Sequence, residues 1–292
     1  MTDGALIGPT DAPDLHVMTY NIRRRLRKVL RTSPDLWSRR KWLLRQLLTA
    51  ERPSLLGVQE GLTDQVEFVA GSLGRSYRRI GFGRDADGRG ESCPIFYDAA
   101  RLQVRDWTQL ALSATPEVAG SRSWGNMVPR IAIRATMTDL ATGSEFVVFN
   151  THLDHLSRKS RLRSAQMLGE LVLASKLPAI VMGDANTSVD TAPYRELARI
   201  SGVEDVWDVA GERVSELWGT FPNYRDPNKD GKRIDWLLVT PSIGVRKAGI
   251  NITRYAGAAP SDHHPVQATL RIPSGEPAIW PRMAAVRSRR EA

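Results

Sequence analysis

Cysteine is almost missing from this chain of 292 residues, which carries one, Cys93. A single thiol excludes an intrachain disulfide framework and any paired-cysteine metal site. Long apolar runs are missing too: no stretch approaches the roughly 18 consecutive apolar residues of a spanning helix. Met1 to Leu15 holds acids and prolines and no apolar signal core. These absences suggest a cytoplasmic protein with no membrane insertion. Acids are the minority charge, 32 Asp and Glu against 41 Lys and Arg, so the formal net charge is +9. That excess suits polyanionic partners, either nucleic acid or a phosphorylated small molecule. The apolar share of 41% and charged share of 25% exclude a disordered or fibrous chain.

Strands and helices interleave along the chain. Leu15–Tyr20 alternates as a short strand and runs into Asn21, followed by the basic loop Arg23 to Lys28. Asp35 is expected to cap a helix carrying Leu36, Leu43, Leu44, Leu47 and Leu48, stopped by Pro53. Leu55–Gln59 reads as a buried strand ending on Glu60, and a second helix runs from Thr63 to Gly74. The middle is rich in strands, and a long loop from Ser113 to Pro129 carries Trp124. Ser157–Lys176 is an amphipathic helix, and Pro178–Met182 a buried strand ending at Gly183. Strands at Ile234–Val239, Val245–Thr253 and Val266–Ile272 close the pattern. The order predicts an α/β fold with two sheets face to face and helices outside. Residues 1–13 read as a flexible leader, 14–272 as one catalytic domain and 273–292 as a Pro/Arg-rich tail.

Polar residues collect where these strands end: Asn21, Glu60, His152, Asp184, Asn186, Asp235, Asp262 and His263. Loops at strand ends are where layered α/β folds build sites. Four of the five histidines form two pairs, His152/His155 and His263/His264, beside Asp154 and Asp262. A lone histidine is as often a loop residue bonded to backbone as a functional one, but two pairs beside acidic strand ends are harder to read that way. Asn21 with Glu60, and Asp184 with Asn186, are oxygen donors suited to a hard cation. The histidines could suggest Zn²⁺, but the oxygen-rich set and the lack of an HxxxH helix favour Mg²⁺ or Mn²⁺.

Short motifs turn this into a resemblance. Met18-Thr19-Tyr20-Asn21, Gly57-Val58-Gln59-Glu60, Glu91 to Tyr97, Asn150-Thr151-His152-Leu153-Asp154, Gly183-Asp184-Ala185-Asn186, Arg233-Ile234-Asp235-Trp236 and Ser261 to Pro265 follow one another in order. Together they resemble the endonuclease/exonuclease/phosphatase superfamily. The resemblance implies a four-layer α/β/β/α sandwich with two mixed central sheets and a metal-dependent phosphoesterase. It makes Glu60 the main metal ligand, with Asn21 and Asp262 nearby. Asp184 and Asn186 would orient the attacking water, and Asp235 would orient His263 as general base or phosphate-polarising imidazole. His152, partnered by Glu91, would be the second imidazole at the phosphate. Arg130, Trp124 and Arg233 are candidates for substrate binding. Two departures from the family stand out: Cys93-Pro94 replaces a small residue, and His264 has no family role.

For the substrate, the sequence leaves several readings. The first, which the sequence favours, is a phosphodiesterase acting on nucleic acid or nucleotides. It would use the basic run Arg23, Arg24, Arg25, Arg27 and Lys28, with Trp124, Phe221 and Tyr224 stacking on bases. A phosphatase of sugar or inositol phosphates would use the same basic loops. A catalytically inactive binding module is disfavoured, because Asn21, Glu60, His152, Asp184, Asn186, Asp235 and His263 are all present.

Overall fold

Alternate residues of the first strand face opposite ways and are buried on both sides. Leu15 and Val17 point one way, Met18 and Tyr20 the other, and none is more than 1% exposed. A strand buried on both faces needs a layer on each side. The computed structural model describes residues 4–274. In chain order it runs β1 (Leu15–Asn21), α1 (Trp37–Glu51), β2 (Leu55–Gln59), α2 (Thr63–Leu73), β3 (Tyr77–Ile80), β4 (Ile95–Asp98), β5 (Leu102–Ala111), β6 (Ile131–Asp139) and β7 (Glu145–His152). It continues with α3 (Arg158–Ser175), β8 (Ala179–Asp184), α4 (Ala192–Ser201), β9 (Glu204–Asp205), α5 (Val206–Val209), β10 (Glu212–Arg213), β11 (Asp235–Val239), β12 (Gly244–Ile250) and β13 (Val266–Arg271).

The strands form two sheets. One is seven-stranded, ordered β10-β12-β13-β1-β2-β4-β3, and the other six-stranded, ordered β5-β6-β7-β8-β11-β9. Both are mixed: β1 runs parallel to β2 and antiparallel to β13, while β7 runs parallel to β8. Leu15, Val17, Leu55 and Ile95 meet Ile133, Phe146, Val148, Ile180 and Leu237 between the sheets. Outside the first sheet, Met18, Tyr20, Leu56 and Val58 pack on Leu44, Leu47 and Leu48 of α1 and Val66 and Val69 of α2. Outside the second, Val147, Phe149, Val181 and Leu238 pack on Ala165, Leu168 and Val172 of α3 and Leu197 of α4. The result is the expected four-layer sandwich.

Two local expectations change. Asp35 does not cap α1. The cap residue is Leu36, without a side-chain bond, and the Asp35 carboxylate instead accepts from Arg23 and from the Tyr224 hydroxyl. Part of the expected leader is also tied down. The backbone N–H groups of Leu6, Ile7 and Gly8 donate to Glu51, a carboxylate buried at the end of α1. A buried charge needs such donors, and the leader supplies them. The expected tail from 275 onward lies outside the described residues.

Candidate active site

Register collects the site before any loop does. In the second sheet Asp184 sits opposite His152 on one side and opposite Asp235 on the other, at the ends of β7, β8 and β11. Gly183 makes this register possible. Its φ is +146°, and a Cβ there would come within 2.0 Å of the Thr151 carbonyl oxygen. In the first sheet Asn21 sits beside Gln59, and Glu60 follows at once. Glu60 adopts φ +61°, an unusual conformation for a residue with a side chain, and the bridge between Gly61 and Ser92 holds the turn after it. Asp262 and His263 precede β13, which pairs with β1, and the Ser261 hydroxyl ties their loop to the Asn21 carbonyl at 2.7 Å.

A buried polar bridge joins the two sheets behind these residues. The Gln59 amide donates to Asn150 Oδ1 at 2.7 Å, and Asn150 Nδ2 faces the carbonyls of Val58, Cys93 and Pro94. Both residues belong to the sequence motifs without having been given a role there. They fix the spacing between the sheets from which the site is built.

The side chains converge on a cavity of about 390 Å³. Asn21 Nδ2 bridges Asp184 at 2.9 Å and Glu60 at 3.1 Å. Its oxygen, expected as a metal ligand, instead accepts the Arg23 N–H. Asp184 accepts the Asn186 N–H on one oxygen, and its other oxygen lies 3.4 Å from His152 Nε2 and 3.7 Å from His263 Nε2. The Asn186 side-chain amide contacts His152 Nε2 at 3.0 Å. His263 turns Nδ1 to Asp235 at 2.9 Å and packs against the Phe221 ring at 4.7 Å between centroids.

The two imidazoles have opposite electrostatics. Burial and the Arg130 guanidinium hold His152 well below its ordinary value, so its ring is neutral. Burial also works against charge on His263, but Asp235 and Asp184 carry its imidazole up to about 10. Burial and the Asp235 charge push the Asp184 carboxyl up to about 7. Burial opposes the Glu60 charge as well, yet the Arg24 N–H, the His263 imidazolium and the Asn21 amide hold its carboxyl below its ordinary value. Burial pushes the Asp262 carboxyl up, against the pull of His263 and Arg23.

A cation fits this donor set. Glu60, His152 and Asp184 each bring a ligand atom within 4.8 Å of the others, as do Asp184, Asp235 and His263. The second set is already committed to the Asp235–His263 hydrogen bond. In the first set Glu60 is the carboxylate held ionised, which suits it to a metal ion, and Asp262 lies on the same cavity wall.

Three sequence expectations need correction. Glu91 does not pair with His152. It accepts two bonds from Arg84, at 2.8 and 3.1 Å, and lies 3.2 Å from Arg24. Those permanently charged donors compete better for a carboxylate than a neutral imidazole does. Arg233 is drawn away to Asp205 at 3.3 Å, and it does not line the cavity. Trp124 does not line the cavity either; its carbonyl accepts from Ser157 at the start of α3. Arg130 does line it, 3% exposed and held by Asp154 and by His155 Nδ1 at 2.8 Å. The sequence left His155 without a role, although its spacing from His152 places it on the same wall. His264 lies apart: its N–H donates to the Thr220 carbonyl, and burial lowers its imidazole to about 4.

Buried acids, arginines and one charged and one neutral imidazole around a single cavity are the equipment of a phosphoesterase. The chain belongs to the Endonuclease/Exonuclease/phosphatase family, whose model matches residues 18–263. That family is metal-dependent. Among solved structures, a family member from Bacteroides vulgatus is 30% identical, with a TM-score of 0.81 over 89% of this chain and 99% of that one. A mannosyl-6-phosphatase from Bacteroides thetaiotaomicron is also 30% identical, with a TM-score of 0.78 over 88% and 99%. The human Nocturnin catalytic domain, 18% identical with a TM-score of 0.67 over 89% and 96%, shares the fold. No curated protein matches the chain. Among the described residues, no helix is long and apolar enough to cross a membrane.

Proposed function

We propose that the enzyme hydrolyses phosphate monoesters of small phosphorylated metabolites, sugar or inositol phosphates, with Mg²⁺ or Mn²⁺ held by Glu60 beside Asp262. The observation that carries this reading is the fate of the basic run. Arg23 pairs with Asp35 and Asp262, Arg24 with Glu91, and Arg25 with Asp64. With the three arginines nearest the cavity paired internally, the run is a poor track for a polynucleotide backbone, which needs a row of free cations at the site. The base-stacking candidates fit no better, since Trp124 is off the cavity and the Tyr224 hydroxyl is bound to Asp35. The likeness to a mannosyl-6-phosphatase at 30% identity supports the same direction.

The residues divide the work as follows. Glu60 would hold the cation, which would supply positive charge to the phosphoryl oxygens. The His263 imidazolium, oriented by Asp235, donates from Nε2 to a phosphoryl oxygen, while Arg130 and Arg24 face the remaining anionic charge. Asp184, whose carboxyl titrates near neutrality, accepts the proton of the attacking water at its Oδ2 as the water oxygen bonds to phosphorus and the ester P–O bond breaks. The leaving alkoxide takes its proton from solvent, and Asn186 holds the water and the His152 ring in line.

One observation favours a second reading, a nucleotide phosphodiesterase. Phe221 is 45% exposed on the cavity wall and could stack on one base. Turnover of p-nitrophenyl phosphate and bis-p-nitrophenyl phosphate, with Mg²⁺, Mn²⁺ and EDTA controls, separates the two. Faster cleavage of the monoester, extended to hexose phosphates, is expected. Preference for the diester would overturn the monoesterase reading.

A further inference from the structure

A second cavity, of about 460 Å³, lies against the catalytic one, and Arg24 lines both. Arg24, Arg25 and Arg27 contribute three guanidinium groups to its wall, against the single carboxylate of Asp64. Leu26, Leu62, Thr63 and Gly90 complete it. Arg25 is neutralised by Asp64 at 2.7 Å, and Arg24 is shared with Glu91 at 3.2 Å. Arg27 is exposed and forms no ion pair among the described residues. The wall therefore keeps a net positive charge next to the place where the scissile phosphate would sit.

Thr63 and Asp64 open α2, a helix of 11 residues whose cap, Leu62, makes no side-chain bond. The Gln65 and Val66 N–H groups close back on the Leu62 carbonyl, so the start of the helix is held by its own backbone. The Arg27 guanidinium, without an ion pair among the described residues, and the net positive wall favour one kind of ligand, an oxyanion.

We propose that this cavity is a second anion subsite, which takes a remote phosphate or carboxylate on the same substrate molecule whose ester phosphate occupies the catalytic cavity. The inference rests on the small-molecule reading above and narrows it to metabolites with two anionic ends. Arg24 is the hinge of the arrangement. With a dianionic substrate in place it faces both charges, and Glu91 is the internal counter-ion that holds it when neither is present.

Binding tests the idea without needing turnover. Isothermal titration of the full chain in EDTA would compare glucose 6-phosphate, glucose 1,6-bisphosphate and 6-phosphogluconate. At least one of the two doubly anionic ligands should bind about tenfold or more tighter than glucose 6-phosphate. Arg27→Gln and Arg25→Gln should each bring that ratio toward one. Whichever of the bisphosphate and the phosphogluconate gains more identifies the remote anion as phosphate or carboxylate. Equal affinities in the unaltered protein, or a ratio that survives both substitutions, would overturn the subsite. Hydrolysis of glucose 6-phosphate with Mg²⁺ tests the monoesterase reading separately. Turnover without the binding ratio removes the subsite alone, and the ratio without turnover removes the monoesterase reading alone.

Discussion

The Nδ1 atom of His263 lies 2.9 Å from a carboxylate oxygen of Asp235, which leaves Nε2 facing Asp184 at 3.7 Å. Asp235 thus sets both the tilt of the ring and its charge. His263→Ala should reduce turnover by about 10²–10⁴ through loss of the donor to the phosphoryl group. Asp235→Asn keeps the bulk but removes the charge that raises the imidazole, so its loss should be comparable and its activity should fall at lower pH than in the unaltered enzyme. His264→Ala should cost far less, since that ring is outside the cavity. Turnover of the three variants on one substrate, with folding followed by circular dichroism, checks this. A crippled His264→Ala beside an active His263→Ala would reverse the assignment.

Glu60 and Asp184 should separate in what they lose. Glu60→Gln keeps the shape but removes the carboxylate charge a cation needs, and with it one of the two acceptors that Asn21 and Arg24 donate to. Mg²⁺ or Mn²⁺ should raise the melting temperature of the unaltered protein, by linkage to the folded state, and barely move that of Glu60→Gln. Asp184→Ala should lose turnover by roughly two to four orders of magnitude even at saturating metal. A Glu60→Gln protein with an undiminished metal-dependent shift would remove Glu60 from the metal site.

Gly183 carries the register that sets Asp184 between His152 and Asp235. A Cβ there meets backbone, the Thr151 carbonyl, at 2.0 Å, so no side-chain rotation relieves it. Gly183→Ala should destabilise the fold by about 3 kcal/mol or more, through strain and a shifted strand. Urea unfolding reads the loss directly. A Gly183→Ala protein with unchanged midpoint and turnover would show that this close approach does not set the site.

Strand ends were legible in the sequence because strands buried on both faces leave few places for Asn21, Glu60, Asp184 or Asp235 other than their termini. The motif order carried the four layers. Partners were much less legible. Glu91, Arg233 and Asp35 each found a counter-ion that periodicity cannot reveal: Arg84 at seven residues' distance, Asp205 at 28 and Arg23 at 12. Arginine reaches far and forks, so which carboxylate it meets depends on the tertiary approach of loops rather than on local spacing. The basic run looked like an open electrostatic track for the same reason, because the acids that neutralise it come from α2, the 83–91 loop and the segment before β13. His155 shows the converse: its neighbour Arg130 is 25 residues away, yet both reach one wall because β6 and β7 are paired.

Acid stability should depend on a residue far from the cavity. His16 is fully buried in β1, with Nδ1 2.8 Å from the Gly8 carbonyl. Burial lowers its imidazole to about 4, against the opposing pull of Glu51. In the unfolded chain the ring titrates near 6.5. Between those values the unfolded chain binds a proton that the folded protein refuses. The contribution to stability is therefore complete above pH 6.5, declines as the pH falls, and is spent near pH 4. A shift of this size corresponds to a loss on the order of 3 kcal/mol. His16→Gln retains an amide able to donate to Gly8 but cannot titrate. Urea unfolding of both proteins in EDTA at pH 7.5 and pH 4.5 should give a steeper fall for the unaltered chain than for the variant, whatever their absolute stabilities. Parallel falls would mean that the His16 ring is protonated in the folded state, with Glu51 as its counter-ion.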